Sequence, residues 1–265
     1  MTYLMVAPNG ARKTKVDHPA LPVTSPELVQ TALACWQAGA QGLHAHIRNT
    51  DQSHLLDAGR YRELLALLKE TIPDLEIQVT TEAAGIYQAP EQRQLVLDLR
   101  PEWISLSVRE MVREPDSKVV RDFYAELSQS QIRIQHILYD ADDLQQLFEW
   151  IDQGVVLRPA SLSILWVLGR YSSDGNSDPA ELNQVEATLQ ALGSDIPEQV
   201  MVCAFGLGQI PCLVEAARRG WDCRVGFENG WWKHDGSVAK DNADLLGSFC
   251  YQLLKEKNKC SVERC

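Results

Sequence analysis

Residues 24–48, TSPELVQTALACWQAGAQGLHAHIR, contain one complete helix-to-strand unit. Thr24 is a capping residue, Pro26 suits the first helical turn, and Gly39 stops the helix after Gln37-Ala38. A helix is therefore predicted over residues 25–38. The segment Gly42-Leu43-His44-Ala45-His46-Ile47-Arg48 that follows is short, apolar and β-rich, and predicts a strand. The same unit recurs outward in both directions. Strands are expected at 3–8, 42–48, 76–82, 103–108, 133–139, 161–169, 200–206 and 223–229. Helices are expected at 25–38, 57–70, 91–99, 117–128, 142–153, 179–192, 210–219 and 241–257. Eight strands, each followed by a helix, imply a parallel sheet closed into a TIM (β/α)8 barrel. An open doubly wound sheet is the alternative, but no G-x-G-x-x-G follows the first strand.

The composition agrees with a single soluble domain. A chain of 265 residues, 45% hydrophobic and 23% charged, has the usual balance of a globule. Barrels of this length commonly form one domain, here residues 1–257, with a polar tail at 258–265. No apolar run approaches the roughly 20 residues that a membrane span needs, and no basic segment with a signal-peptide core opens the chain. A cytoplasmic enzyme is expected. A net charge of −11 argues against nucleic acid or an anionic membrane as partner. An anionic substrate would need a locally basic pocket. The seven cysteines, Cys35, Cys203, Cys212, Cys223, Cys250, Cys260 and Cys265, show no C-x-x-C pair and read as free thiols.

In a barrel, the loops after the strands form the catalytic face. His44 and His46 alternate along the second predicted strand, so both imidazoles point to one side. That pair is half of a metal site, although polar residues at a strand end fit it equally well. Glu228 ends the eighth predicted strand. Strand eight adjoins strand one, and strand two lies just beyond. Glu228 can thus reach both imidazoles, giving a two-His, one-carboxylate set with open positions. Arg224 lies four residues before Glu228 and shares its face by the period of two. An interior arginine is costly unless it pairs with a carboxylate, such as Glu82, or with an anionic ligand.

The segments Ala7-Pro8-Asn9-Gly10-Ala11-Arg12, Leu21-Pro22-Val23-Thr24, Ala38-Gly39-Ala40, His44-Ala45-His46-Ile47-Arg48 and Arg224-Val225-Gly226-Phe227-Glu228-Asn229 together resemble the β-keto acid cleavage enzymes. The likeness runs in order from the first strand to the eighth. It implies a zinc-dependent barrel that converts a β-keto acid and acetyl-CoA into acetoacetate and a new acyl-CoA. By the same resemblance His44, His46 and Glu228 are the zinc ligands and Arg224 the active-site arginine. Thr80 stands where the family type has a substrate-contacting serine. Asn9, in the opening motif, is expected at the substrate, and a homo-oligomer, a tetramer, is expected as the assembly.

Three departures bear on chemistry. The acidic residue that follows the metal-binding glutamate in the family type is Asn229 here, and an amide is no general base at neutral pH. Glu82, at the end of the third predicted strand, is the substitute base this chain offers. Arg12 replaces a glutamate that receives the amine of 3-keto-5-aminohexanoate, so the amino substrate is not expected to be preferred. Trp231, Trp232 and His234 follow the eighth strand, where the tryptophans either stack on an adenine or bury against the last helix. Gly206-Leu207-Gly208 offers backbone amides to a phosphate. His18, His54 and His136 are read as structural. A metal-dependent aldolase or hydrolase working without CoA, and a metal-binding protein that recognises a keto acid without turnover, stay open beside the acyl-transfer reading.

Overall fold

A computed structural model describes residues 2–262 apart from 112, 114 and 115, with side chains described through residue 256. Eight parallel strands close into a barrel: β1 (Leu4–Val6), β2 (Gly42–Ala45), β3 (Glu76–Val79), β4 (Trp103–Ser107), β5 (Arg133–Leu138), β6 (Ser163–Leu168), β7 (Gln199–Ala204) and β8 (Asp222–Val225). Closure is made by β1, whose Met5 stands level with Arg224 on one side and Gly42 on the other. Helices lie between the strands, so the expected TIM barrel is the fold observed.

The predicted local signals operate as expected. Thr24 accepts from the Glu27 amide while the Glu27 side chain accepts from the Thr24 amide, a reciprocal cap on the helix Ser25–Gln37. Asp57 caps Ala58–Thr71 from one side only, accepting from the Arg60 amide. Along β2, Leu43 and Ala45 face the helices and His44 faces the barrel axis. A one-residue slip would put His44 under the helices without a partner, at a cost of about 1–3 kcal/mol.

The interior holds its own small apolar cluster, Met5, Trp103, Ile137, Leu165, Val167, Met201 and Cys203, separate from the larger core beneath the helices. At the end where the strands begin, Tyr3 donates to Glu76 at 2.7 Å and Arg133 pairs with Glu76 at 2.8 Å. The Arg133 guanidinium also lies 4.6 Å above the Trp103 ring.

The predicted strands run shorter than expected, and at three of them the reason is visible. β2 leaves the ladder at His46, because Ile47–Arg48 pairs antiparallel with His54–Leu55 instead. β3 ends at Val79 rather than at residue 82. β8 ends at Val225, since Gly226, at φ 153°, crosses so near β1 that a Cβ would stand 2.1 Å from the Ala7 carbonyl oxygen. The strand predicted to residue 108 gives way to a helical turn at Val108–Met111, and residues 112, 114 and 115 beyond it lie outside the described residues. The last helix runs over Asn242–Val262, past the predicted 257, and residues 263–265 of the predicted tail lie outside the described residues. Cys35, Cys203, Cys212, Cys223 and Cys250 are free thiols, and the side chains of Cys260 and Cys265 lie outside the described residues. Among the described residues no helix is long and apolar enough to cross a membrane.

Candidate active site

His44, His46 and Glu228 converge where the strands end, with one ligand atom from each lying within 4.8 Å of the others. The two Nε2 atoms are 3.0 Å apart, and each is 3.7 Å from Oε2 of Glu228. Burial, with Arg224 beside His44 and His44 beside His46, holds both imidazoles well below their usual pKa, so both are neutral. Nδ1 of His44 donates to Oε1 of Gln78 at 2.8 Å, which leaves the lone pair on Nε2. Oε2 of Glu228 is buried with no hydrogen-bond partner among the described residues. Two imidazole nitrogens turned toward an orphaned carboxylate oxygen fit a cation between them, and a polar group so buried would otherwise cost free energy.

The ligands are held from behind. Gln78 passes its amide on to Gln135 at 3.1 Å, and Gln135 reaches Ser163 at 3.4 Å, a chain of side chains across the interior. Nδ2 of Asn9 donates to the His46 carbonyl at 3.1 Å and to the Pro22 carbonyl at 3.0 Å. Arg48 clamps the loop after β1, donating to the carbonyls of Asn9, Gly10 and Lys13. Gly10, at φ 59°, lets that loop lie against the ligand, because a Cβ there would stand 2.5 Å from Cγ of Glu228. Lys13 donates to the Phe227 and Glu228 carbonyls at 2.9 and 3.1 Å, and burial pulls its pKa down to about 8.

Arg224 is buried and pairs with Glu228 rather than with Glu82, its Nη2 standing 3.0 Å from Oε1. Strand alternation, expected from the sequence to bring the two together, does not do so: Arg224 sits on β8 and Glu228 in the turn beyond it, and the turn makes the contact. Nε and Nη1 of Arg224 have no partner among the described residues and remain available to a ligand. Glu82 lines the same cleft, with burial and the Glu228 carboxylate raising it to about 7. Its amide donates to Oγ1 of Thr80 at 3.0 Å, and its carboxylate stands 3.9 Å from Arg12, whose side chain is 56% exposed at the rim. Asn9, Arg12, Thr80, Glu82, Arg224, His44 and Glu228 thus share one cleft.

Other predicted residues fall elsewhere. Asn229 is buried, its amide atoms are without partners, and its side chain is absent from the cleft wall. Trp231 packs on His18 and Phe227, with Lys13 above its ring, so it serves packing. His234 is exposed in a separate shallow groove. The Gly206-Leu207-Gly208 amides are not free for phosphate: Gly206 donates to Asn229 and Leu207 to Asn176, and the glycines make room for Asn176 and Ser177. His18 and His136 lie outside the cleft wall, His18 donating to the Ala239 carbonyl at 3.1 Å and His136 buried against the Tyr124 ring. His54 is not merely structural, since its ring lies 5.2 Å from His46 and Nε2 donates to the Glu82 carbonyl at 2.8 Å.

The cleft also contains Lys13, Glu110 and Arg170, which the sequence reading passed over. Glu110 and Arg170 lie just beyond β4 and β6, the same signal that singled out Glu82. Burial raises Glu110, which accepts from the Ala83 amide at 3.1 Å and from Gln92 at 2.6 Å.

The model of the family described as beta-keto acid cleavage enzyme matches residues 2–255. The chain belongs to this family. A 3-keto-5-aminohexanoate cleavage enzyme from Fusobacterium nucleatum is 25% identical over 245 residues, covering 89% of this chain and 85% of the relative. A 3-oxoadipate:acetyl-CoA acetyltransferase from Cupriavidus necator is 26% identical over 254 residues, covering 92% and 85%. A 3,5-dioxohexanoate:acetyl-CoA acetone transferase from Paraburkholderia graminis is 24% identical over 269 residues, covering 89% and 84%. Among solved structures, ObcA, in a ternary complex with a C4-CoA adduct and oxalate, aligns with a TM-score of 0.72 at 14% identity. That alignment covers 90% of this chain and 65% of ObcA, and it shows the shared barrel fold.

Proposed function

We propose that this member of the β-keto acid cleavage family is a zinc-dependent acyltransferase that takes a β-keto acid and acetyl-CoA to acetoacetate and a new acyl-CoA. The observation that carries this reading is the convergence of His44, His46 and Glu228 beside the free donors of Arg224, in one cleft with Glu82. Two imidazoles, one carboxylate and an open side suit zinc, which when bound would polarise the keto oxygen and offset negative charge. The donor set alone is shared with other divalent ions, so zinc is part of the proposal.

The chain's own residues supply the rest. Glu82 takes a proton from the carbon between the keto and carboxylate groups, replacing the acid that Asn229 is not. Arg224 offers Nε and Nη1 to the enolate or its carboxylate. The enolate carbon forms a bond to the thioester carbon of acetyl-CoA, and CoA leaves as thiolate. The CoA thiolate then attacks the original keto carbon, the bond from that carbon to the former enolate carbon breaks to leave the new acyl-CoA, and the carbanion released takes back the proton held by Glu82 and departs as acetoacetate. Thr80, held beside Glu82, lines the path of the substrate. Arg12 at the rim disfavours an amino substrate, so 3-keto-5-aminohexanoate is a poor one. A cytoplasmic homo-oligomer belongs to the same reading.

The test is incubation of the metal-loaded protein with acetyl-CoA and a panel of β-keto acids. Acetoacetate and an acyl-CoA appear together, and neither forms without CoA. Product without CoA points to an aldolase or hydrolase, and binding without product to a recognition protein. Metal analysis of the purified protein returns zinc at one equivalent per chain, and sedimentation returns the oligomer.

A further inference from the structure

The cleft has two unlike ends. Around His44, Glu228 and Arg224 it is polar, and its unpartnered atoms are the ones assigned above to the metal and the head of the substrate. The opposite wall is apolar where Ile137 and Val167, both buried, rise from β5 and β6. At the end of that wall stands Arg170, directly after β6, its guanidinium 5.2 Å from the centre of the Phe205 ring.

Each other cation of the cleft has at least one direct protein partner. Arg12 faces Glu82, Lys13 holds two carbonyls, and Arg224 pairs with Glu228. Arg170 is different: among the described residues no acid pairs with it directly, the Glu82 carboxylate feels it only at longer range, and it is partly buried. A planar guanidinium steadied on an aromatic face, with its donors uncommitted, is suited to a carboxylate. This local excess of positive charge arises in a chain of net charge −11, so it is a property of the cleft and not of the surface.

We propose that Arg170 is the specificity-determining residue of this cleft and that the substrate is a dianionic β-keto acid, its far carboxylate held by Arg170 and its short methylene stem lying on Ile137 and Val167. The proposal rests on the reaction given above, with the head of the substrate at the Arg224 end.

Kinetics of the metal-loaded full chain test it, with 3-oxoadipate against 3-oxohexanoate, which carries an uncharged tail of similar length. Arg170→Ala raises KM for 3-oxoadipate by about 10- to 100-fold, the range for a hydrogen-bonded charge pair. KM for 3-oxohexanoate moves less than about threefold, and Arg170→Lys recovers part of the loss. Equal effects on the two acids overturn the proposal. So does a rise in KM confined to acetyl-CoA and absent with acetylpantetheine, which would assign Arg170 to the phosphates of CoA. Should the wild type turn over neither acid, the reaction has been misread, and calorimetry with glutarate and butyrate still decides the subsite. Tighter binding of glutarate that Arg170→Ala abolishes supports it, and no preference in the wild type overturns it.

Discussion

The two ends of the barrel treat polar groups in opposite ways. Where the strands begin, Tyr3, Glu76, Arg133 and Trp103 satisfy one another by hydrogen bond, ion pair and stacking. Where they end, Oε2 of Glu228, Oδ1 of Asn9, Nδ1 of His46 and two nitrogens of Arg224 are buried without partners among the described residues. Native interiors rarely leave such groups unpaired. The closed network is a device for holding the strands, and the open one is a place kept for something else.

Substitutions at the two ends sharpen that contrast. The largest effect is expected from His44→Ala, which abolishes bound metal and lowers kcat by on the order of a thousandfold, from the several kcal/mol that a bound cation supplies. Metal analysis and steady-state rates check it, and full activity without metal would remove the ligand assignment. Glu82→Gln comes next, lowering kcat by about a hundredfold or more. Because the Glu82 carboxyl is raised to about 7, it is protonated below that pH and becomes the base above it. The wild-type kcat/KM therefore climbs through pH 7, and the variant loses that limb. A pH profile that Glu82→Gln leaves in place assigns the base elsewhere.

Gln78→Met removes the acceptor behind His44 and weakens metal affinity by about 10- to 100-fold, measured by competition with a chelator, while the melting temperature stays close to wild type. The smallest change belongs to the other end. Glu76→Gln costs about 1 kcal/mol, a drop of about 2–4 °C in melting temperature, and leaves KM, kcat and metal content unaltered. A Glu76 variant with altered kinetics would erase the division between the two ends.

Much of this was legible in residue order, for definite reasons. Caps such as Thr24 and Asp57 act through their own backbone neighbours, so they are visible locally, and strand-end residues of a barrel collect on one face whatever the loops do. His44, His46, Glu228 and Glu82 were found that way. What escaped depends on contacts between distant segments. β8 stops at Val225 because Gly226 must pass Ala7, which only closure of the barrel brings near. The glycines of 206–208 invite a phosphate on paper, yet Asn176 from the preceding loop takes the Leu207 amide. His54 gained a place beside His46 through a two-residue hairpin too short to predict. Arg48 and Lys13 act on carbonyl oxygens, which no side-chain pattern advertises.

The glutamine chain behind His44 has a direction. Each donor points away from the cleft, from His44 to Gln78, from Gln78 to Gln135, and from Gln135 to Ser163. Turning both amides over, with the Ser163 hydroxyl donating in its turn, would satisfy the same groups and move the imidazole proton onto Nε2. In that arrangement His44 has no lone pair to offer. The barrel interior therefore stores a binary choice whose far terminus is Ser163. Ligation at His44 requires the setting that the structure holds, with the proton on Nδ1 and the lone pair on Nε2 turned toward Glu228.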